Sequence, residues 1–281
     1  HLCDRRQRQM CIRDRIQVEY EDGKNITPDQ IYTWSDANKT TPKTSAPALA
    51  DAMELFRPYA EAGREIVCFS ISAGMSTSGN VMRLAAEELG ASDRIKVIDS
   101  ANLSTGIGLL VIEAAEMAQQ GKSAAEITAR IEELKPLVRA SFVVDTLTYL
   151  YRGGRCSGLA ALAGGALKLH PRIGVEDGKM GPGKKYRGNM EKVVLSYVKD
   201  MEEAMKNARP ERVFITHSGS APEIVDKVRA YLNDLHVFRE ILETRAGGVV
   251  SSHCGPGTLG VLFIAKELSL IHISEPTRRV V

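Results

Sequence analysis

The sequence predicts an α/β protein with two halves: a parallel-sheet, three-layer N-terminal domain over residues 16–139 and an α+β C-terminal domain with a mixed sheet over 140–267. Three observations predict it. Strand and helix signals alternate from Pro47 to Leu137, the pattern of βαβ units and hence of a parallel sheet. After Arg139 short strands follow one another, with a hairpin signal at Asp177-Gly178. About 250 residues carry these patterns, a length that typical domain sizes divide in two.

The elements follow in order. PALADAMELFRPYAEAG places Leu49, Met53, Phe56 and Tyr59 on one helical face and stops at Gly63. EIVCFSIS is a short apolar run suited to a buried strand. SGNVMRLAAEELG is a helix stopped by Gly90, and RIKVIDS a second strand. STGIGLLVIEAAEMAQQG is a long apolar helix. SAAEITARIEELKPLV is another, opened by a Ser123–Glu126 capping box. ASFVVD is a strand and TLTYLYRGGR a short helix ending at Gly153-Gly154. HPRIGVEDGKMGPGKKYRG forms the hairpin. NMEKVVLSYVKDMEEAMKN is a helix, RVFITHS a strand, and APEIVDKVRAYLND a helix with Pro222 near its start. VFREILETRAG is strand-like, and GVVSSHCGPGTLGVLFIAK closes the pattern as a Gly-rich turn between apolar runs.

The two ends differ from the rest. Codons that can encode Met10–Asp14 are the reverse complement of codons that can encode part of Leu268–Ile273. Both resemble adapters of transposon-based sequencing libraries. Residues 1–15 and 268–281 are therefore set aside from fold reasoning, and no contact between them and the core is expected. Without their seven arginines and three acidic residues, 37 basic and 35 acidic residues become 30 and 32. Nothing in that balance calls for nucleic acid or an anionic membrane. Cys68, Cys156 and Cys254 remain, an odd number without CxxC spacing, which points to a reducing, cytoplasmic setting. No apolar run is long enough to span a bilayer.

Several stretches carry possible chemistry. Thr44-Ser45-Ala46-Pro47 precedes a helix, so its hydroxyls either face a ligand or cap that helix. Ser70 to Gly79 is a Ser-rich turn that follows a strand and opens a helix. Ligands bind at the carboxyl ends of parallel strands, and a helix start there suits an anion. The turn is not a nucleophile elbow, because Ser78 stands where that motif needs Gly. It is not a P-loop either, because no Gly-Lys-Ser/Thr follows. Asp99 to Gly106 repeats the strand-to-helix logic with Ser104 and Thr105. Asp99 reads as a turn or capping residue, because no second carboxylate or histidine lies at metal-ligand spacing. His253 precedes a Gly-Pro-Gly turn and is either structural, a carboxylate donor or a base. His170 and His217 beside apolar strands read as structural.

PKTSAP, ISAGMSTSG, KVIDSANLSTGIG, FVVDTLTYLYRGGRCS, LKLHPRI, KKYRG and SSHCGPGTLG, in this order, resemble the DegV family of bacterial fatty-acid-binding proteins. The likeness runs over nearly all of residues 20–266. It implies two α/β domains enclosing one long-chain fatty acid, whose carboxylate is held by Thr44, Ser76 and His253. Ser72 and Ser104 are fallback contacts, because Ala73 and Thr77 depart from the commoner family turn. The resemblance further implies a carrier without catalytic residues, metal or cofactor, which presents the acid to a separate fatty-acid kinase. Arg155 and Arg187, with Arg152 nearby, are the implied docking residues. It also implies a strand and an Asp-Ser loop ahead of Ile16, whose lack exposes a sheet edge. The residues alone leave two competitors: a serine hydrolase using Ser76 and His253, and a binding protein for another small anion.

Overall fold

The computed structural model describes residues 9–13, 17–154 and 169–267. The N-terminal part holds β1 (Gln9–Arg13), β2 (Gln17–Glu21), α1 (Pro28–Asn38) and β3 (Lys43–Thr44). The three strands form an antiparallel sheet in the order β2-β1-β3, with Met10 opposite Thr44 and Cys11 opposite Lys43. This departs from the expectation that the first fifteen residues touch nothing. Unpaired edge N–H and C=O groups accept any extended backbone, whatever its side chains, so strand pairing here requires no sequence match. Helix α1 escaped the sequence reading although its signature is present. Thr27 caps it, Gln30 completes a capping box and Pro28 occupies the first turn.

Next come α2 (Leu49–Glu61), β4 (Ile66–Ser70), α3 (Ser78–Glu88), β5 (Ile95–Asp99), α4 (Thr105–Gln119) and α5 (Ala124–Leu134). Strands β4 and β5 pair in parallel from Ile66–Ile95 to Ser70–Asp99, as the single β4-α3-β5 crossover requires. Alternation then sorts their side chains. Cys68 and Ile95 pack with α2 and α3 through Phe56, Met82 and Ala85. Val67, Phe69 and Ile98 pack on the opposite face with Leu109, Ile127 and Ile131 of α4 and α5. The result is the three-layer arrangement that the alternation predicted. Among the described residues β4 pairs with β5 alone. The expected Ser123–Glu126 box caps α5, and it holds the Glu126 carboxyl down at about 2, through the Ser123 backbone N–H first and Lys122 next.

The remaining elements are β6 (Val138–Val143), α6 (Thr148–Gly153), β7 (Leu169–Glu176), β8 (Lys179–Arg187), α7 (Met190–Asp200), α8 (Glu202–Lys206), β9 (Ala208–His217), α9 (Pro222–Asp234), β10 (Glu240–Arg245), α10 (Gly248–Cys254) and β11 (Leu259–Ala265). Six strands form one mixed sheet in the order β10-β9-β11-β6-β7-β8, with β10 and β9 parallel and the other pairs antiparallel. The β7–β8 hairpin turns at Asp177 and Gly178, whose φ values of 47° and 73° are the left-handed pair that such a turn needs. Every residue of β11 is buried, so both its faces are covered. Val261 and Phe263 face α7 and α9, whereas Leu262 and Ile264 face α4.

Helix α4 therefore lies between two sheets, which explains why its sequence is apolar nearly all round. Its few charged residues are satisfied across this junction. Glu113 accepts from Arg209 at 3.0 Å and from Arg212 at 3.2 Å, and Glu116 also pairs with Arg212. At its start the Thr105 hydroxyl bonds that of Thr216 on β9. These contacts fix the α4 wall that the site uses. No helix among the described residues is long and apolar enough to cross a membrane.

Candidate functional site

The carboxyl ends of β4 and β5 open into the Ser-rich turn and the Asp99–Ser104 turn. Asp99 accepts from the Ala73 backbone at 3.3 Å and from Ala101 at 2.9 Å, so it ties the two turns together. That is the capping role predicted for it. Ser72 is buried and donates to the Gly178 carbonyl at 2.6 Å while accepting from Gly74 at 3.1 Å. It fastens the hairpin tip to the turn and does not reach the cavity wall. The fallback contact Ser72 is thus a short side chain in a tight turn already engaged with backbone.

Ser76 lies on the wall of a cavity of about 1320 Å³, together with Thr44, Ser104 and His253. Its hydroxyl is 2.9 Å from that of Ser78. Thr44 does not cap α2: that helix starts from Ala48, which makes no side-chain capping bond. Instead Thr44 Oγ1 is 2.9 Å from His253 Nε2. Ser104 sits ahead of α4 with φ 51°, a strained value for a residue with a Cβ, and its side chain caps nothing. Val250 and Cys254 of α10 pack in one apolar cluster with Ile71 and Met75 of the Ser-rich turn. The histidine helix and the serine turn thus share a foundation.

Below these polar groups the walls are mostly apolar. They run down α4 through Val111, Ala115 and Ala118, and down β4 through Phe69 and Val67, toward Arg64 and Lys122. From Ser104 to Ala118 the helix rises about 21 Å at 1.5 Å per residue.

The sequence had read residues 248–254 as an apolar run before a turn. They form α10 because buried groups hold both ends. Asp22 accepts from the Gly248 and Val249 backbone at 2.6 and 2.9 Å, Thr258 Oγ1 donates to the Cys254 carbonyl at 2.9 Å, and Ser218 donates to the Gly255 carbonyl. Gly255, at φ 76°, lies flat on the Tyr149 ring, where a Cβ would meet Cδ2 at 2.7 Å. The Tyr149 hydroxyl donates to Asp36 at 3.3 Å. Burial first, and the Asp36 carboxylate next, push the Tyr149 phenol up to about 12, so it remains a donor at neutral pH. Asp22 and Gly153 were missed as site residues. Gly154 is the left-handed helix stop that the sequence predicted, but Gly153 serves a different end: a Cβ there would meet His253 Nδ1 at 2.4 Å.

The other predicted residues lie elsewhere. Arg187 ends β8 and is exposed, and Arg152 is exposed on α6. Arg155 lies outside the described residues. His170 is buried with Nδ1 3.0 Å from the Val144 carbonyl, and His217 Nδ1 accepts from the Gly219 and Ser220 backbone, so both are structural as expected. Among the described residues no group of three or more His, Cys, Asp or Glu side chains could hold a metal ion. A hydrolase would need the Ser76 hydroxyl on the histidine. Here the Ser76 hydroxyl is turned to Ser78 and His253 Nε2 to Thr44.

Fold and cavity define the class: an α/β protein built around a large internal site with a hydroxyl- and histidine-bearing head. The chain belongs to the DegV family, whose model, described as an uncharacterised protein of that family, matches residues 15–266. A DegV domain-containing protein of Deinococcus radiodurans is 32% identical over 242 residues, which cover 86% of this chain and 85% of that one. A Thermus thermophilus DegV-family structure described for its fatty-acid binding superposes with a TM-score of 0.83 at 27% identity, covering 92% of this chain and 90% of that one. A stearic acid-binding protein of Eubacterium ventriosum superposes at 0.78 with 26% identity and the same coverage.

Proposed function

We propose that this protein binds one long-chain fatty acid in the cavity and presents its carboxylate to a separate kinase that forms the acyl-phosphate. The observation that carries the reading is the Thr44–His253 pair at the head of a cavity that runs along α4 for about 21 Å with largely apolar walls. Thr44, Ser76 and His253 act as donors to the carboxylate, and Ser104 stands in reserve beside them. The fatty-acid-binding relatives support the same ligand class. No catalytic residue and no cofactor is assigned. Energetics divide the work: burying about fifteen methylenes at roughly 0.8 kcal/mol each yields on the order of 12 kcal/mol before association costs. Hydrogen bonds to a charged group add about 1.5–3 kcal/mol each. The tail thus sets affinity, and the polar head sets orientation. The buried thiols of Cys68 and Cys254, neither in a disulfide, fit a cytoplasmic setting.

Native mass spectrometry with lipid extraction is the direct test. A single co-purifying long-chain acid per protein is expected, and a protein that neither carries nor takes up such an acid refutes the reading. Ester turnover that depends on Ser76 and His253 would favour the hydrolase instead. For the kinase, Arg187→Ala is expected to leave lipid binding intact and to slow phosphorylation of the bound acid by a cognate kinase. Unchanged phosphorylation would make Arg187 ordinary surface.

A further inference from the structure

We propose that Asp22 is a positioning residue: through the first turn of α10 it sets His253, and with it the head of the site, without taking part in holding the tail. The proposal rests on the fatty-acid reading of that site. Helix starts leave backbone N–H groups without partners, and in seven-residue α10 the groups of Gly248 and Val249 are met by the two oxygens of Asp22. An acidic acceptor at a helix start is favoured by the helix dipole as well. Asp22 is 5% exposed and comes from a strand end 226 residues away in sequence. The fit is close. A Cβ on Gly248 would meet Ile31 Cδ1 at 2.7 Å and Asp22 Oδ1 at 2.8 Å, so the start of α10 is pressed against both.

His253 lies five residues on, about 7.5 Å along the helix axis. The far end of α10 is held separately by Thr258 and Ser218. Loss of Asp22 therefore frees the near end and lets the helix pivot about the far one. The Thr44–His253 contact of 2.9 Å has little tolerance for such a pivot. The long apolar walls on α4 and β4 belong to other elements and stay where they are; only the short stretch of wall that α10 supplies through Val249, Val250 and Cys254 moves with it, and Asp22 borders the cavity beside that stretch.

Asp22→Asn tests this with almost no change of shape. The amide keeps one acceptor but turns a donor toward the second backbone N–H. In ligand-free protein the His253 ring-nitrogen NMR signals, identified by their loss in His253→Ala, are expected to shift. The ratio of palmitate to hexadecanol affinity is expected to fall roughly five- to tenfold, a weakening of one charged hydrogen bond and less than the roughly ten- to hundredfold of its full loss, while hexadecanol affinity changes less than about twofold. In a His253→Ala background Asp22→Asn should then add nothing to that ratio. If the Asn variant does not fold, Asp22→Ser replaces it with the same expected readings. Equal losses for acid and alcohol, a ratio effect that persists without His253, or unshifted His253 signals would each overturn the proposal. Wild-type protein that binds neither lipid, together with shifted His253 signals in Asp22→Asn, refutes the fatty-acid reading and upholds the positioning role.

Discussion

Replacing Ser76 and His253 together by alanine is expected to erase most of the preference for a long-chain acid over the alcohol of the same length. Each donor to a charged carboxylate contributes about 1.5–3 kcal/mol, or roughly a ten- to hundredfold change in affinity. An alcohol offers no such charge, so its affinity reports the tail. Ser76→Ala alone should weaken acid binding without abolishing it. The effects at Thr44 and His253 should not add, because these two side chains touch each other at 2.9 Å. Isothermal titration with matched acid and alcohol pairs measures the preference directly. An acid preference that survives intact in the double variant would sink the assignment of these residues, whatever the protein binds. The same two variants separate carrier from hydrolase: a hydrolase would lose its ester turnover almost wholly with either one.

The elements set by local chemistry were legible. The Ser123–Glu126 box, the Asp177-Gly178 hairpin and the alternation of strands with helices all rest on neighbours in sequence, and each appears where the pattern places it. Asp99 and the histidines 170 and 217 follow for the same reason: they bond groups of nearby turns or adjacent strands, backbone for Asp99 and His170, and backbone plus the Glu243 carboxylate for His217. Helix α10 was not legible, because Gly, Val and Ser carry little helical preference. What makes Gly248–Cys254 helical is a buried carboxylate from the other end of the chain, and no local window contains it. Gly153 was seen and misjudged. A Gly-Gly pair announces a helix stop, and one glycine suffices for that. The other yields its volume to an imidazole a hundred residues later, which only the packed structure reveals. Ser72 illustrates the converse. In a turn holding four serines the sequence says that hydroxyls are available, but the hairpin tip decides which one is already bonded.

Affinity should climb with acyl length and then stop, and the stop should move when α4 is altered. Each methylene buried contributes roughly 0.8 kcal/mol, or about a fourfold gain in affinity. An extended chain advances about 1.25 Å per carbon, from C–C bonds near 1.52 Å and angles near 111°. The roughly 21 Å of α4 between Ser104 and Ala118 then matches about seventeen carbons. A series of saturated acids from twelve to twenty carbons should therefore gain about fourfold per carbon up to sixteen or eighteen and flatten beyond. Ala115 lies on this wall, about three-quarters of the way from Ser104 to Ala118, and it is only partly buried, so a larger side chain has open space to enter. Ala115→Phe should shift the plateau toward twelve to fourteen carbons. It should cost the eighteen-carbon acid about 2–3 kcal/mol, roughly thirty- to hundredfold in affinity. That equals the upper part of the loss expected of a single head-group change, although no donor to the carboxylate is touched. The variant should leave the acid-over-alcohol preference at fourteen carbons untouched, since the head and the far wall belong to different elements. A plateau that stays at eighteen carbons in Ala115→Phe would mean that the tail does not run along α4 at all.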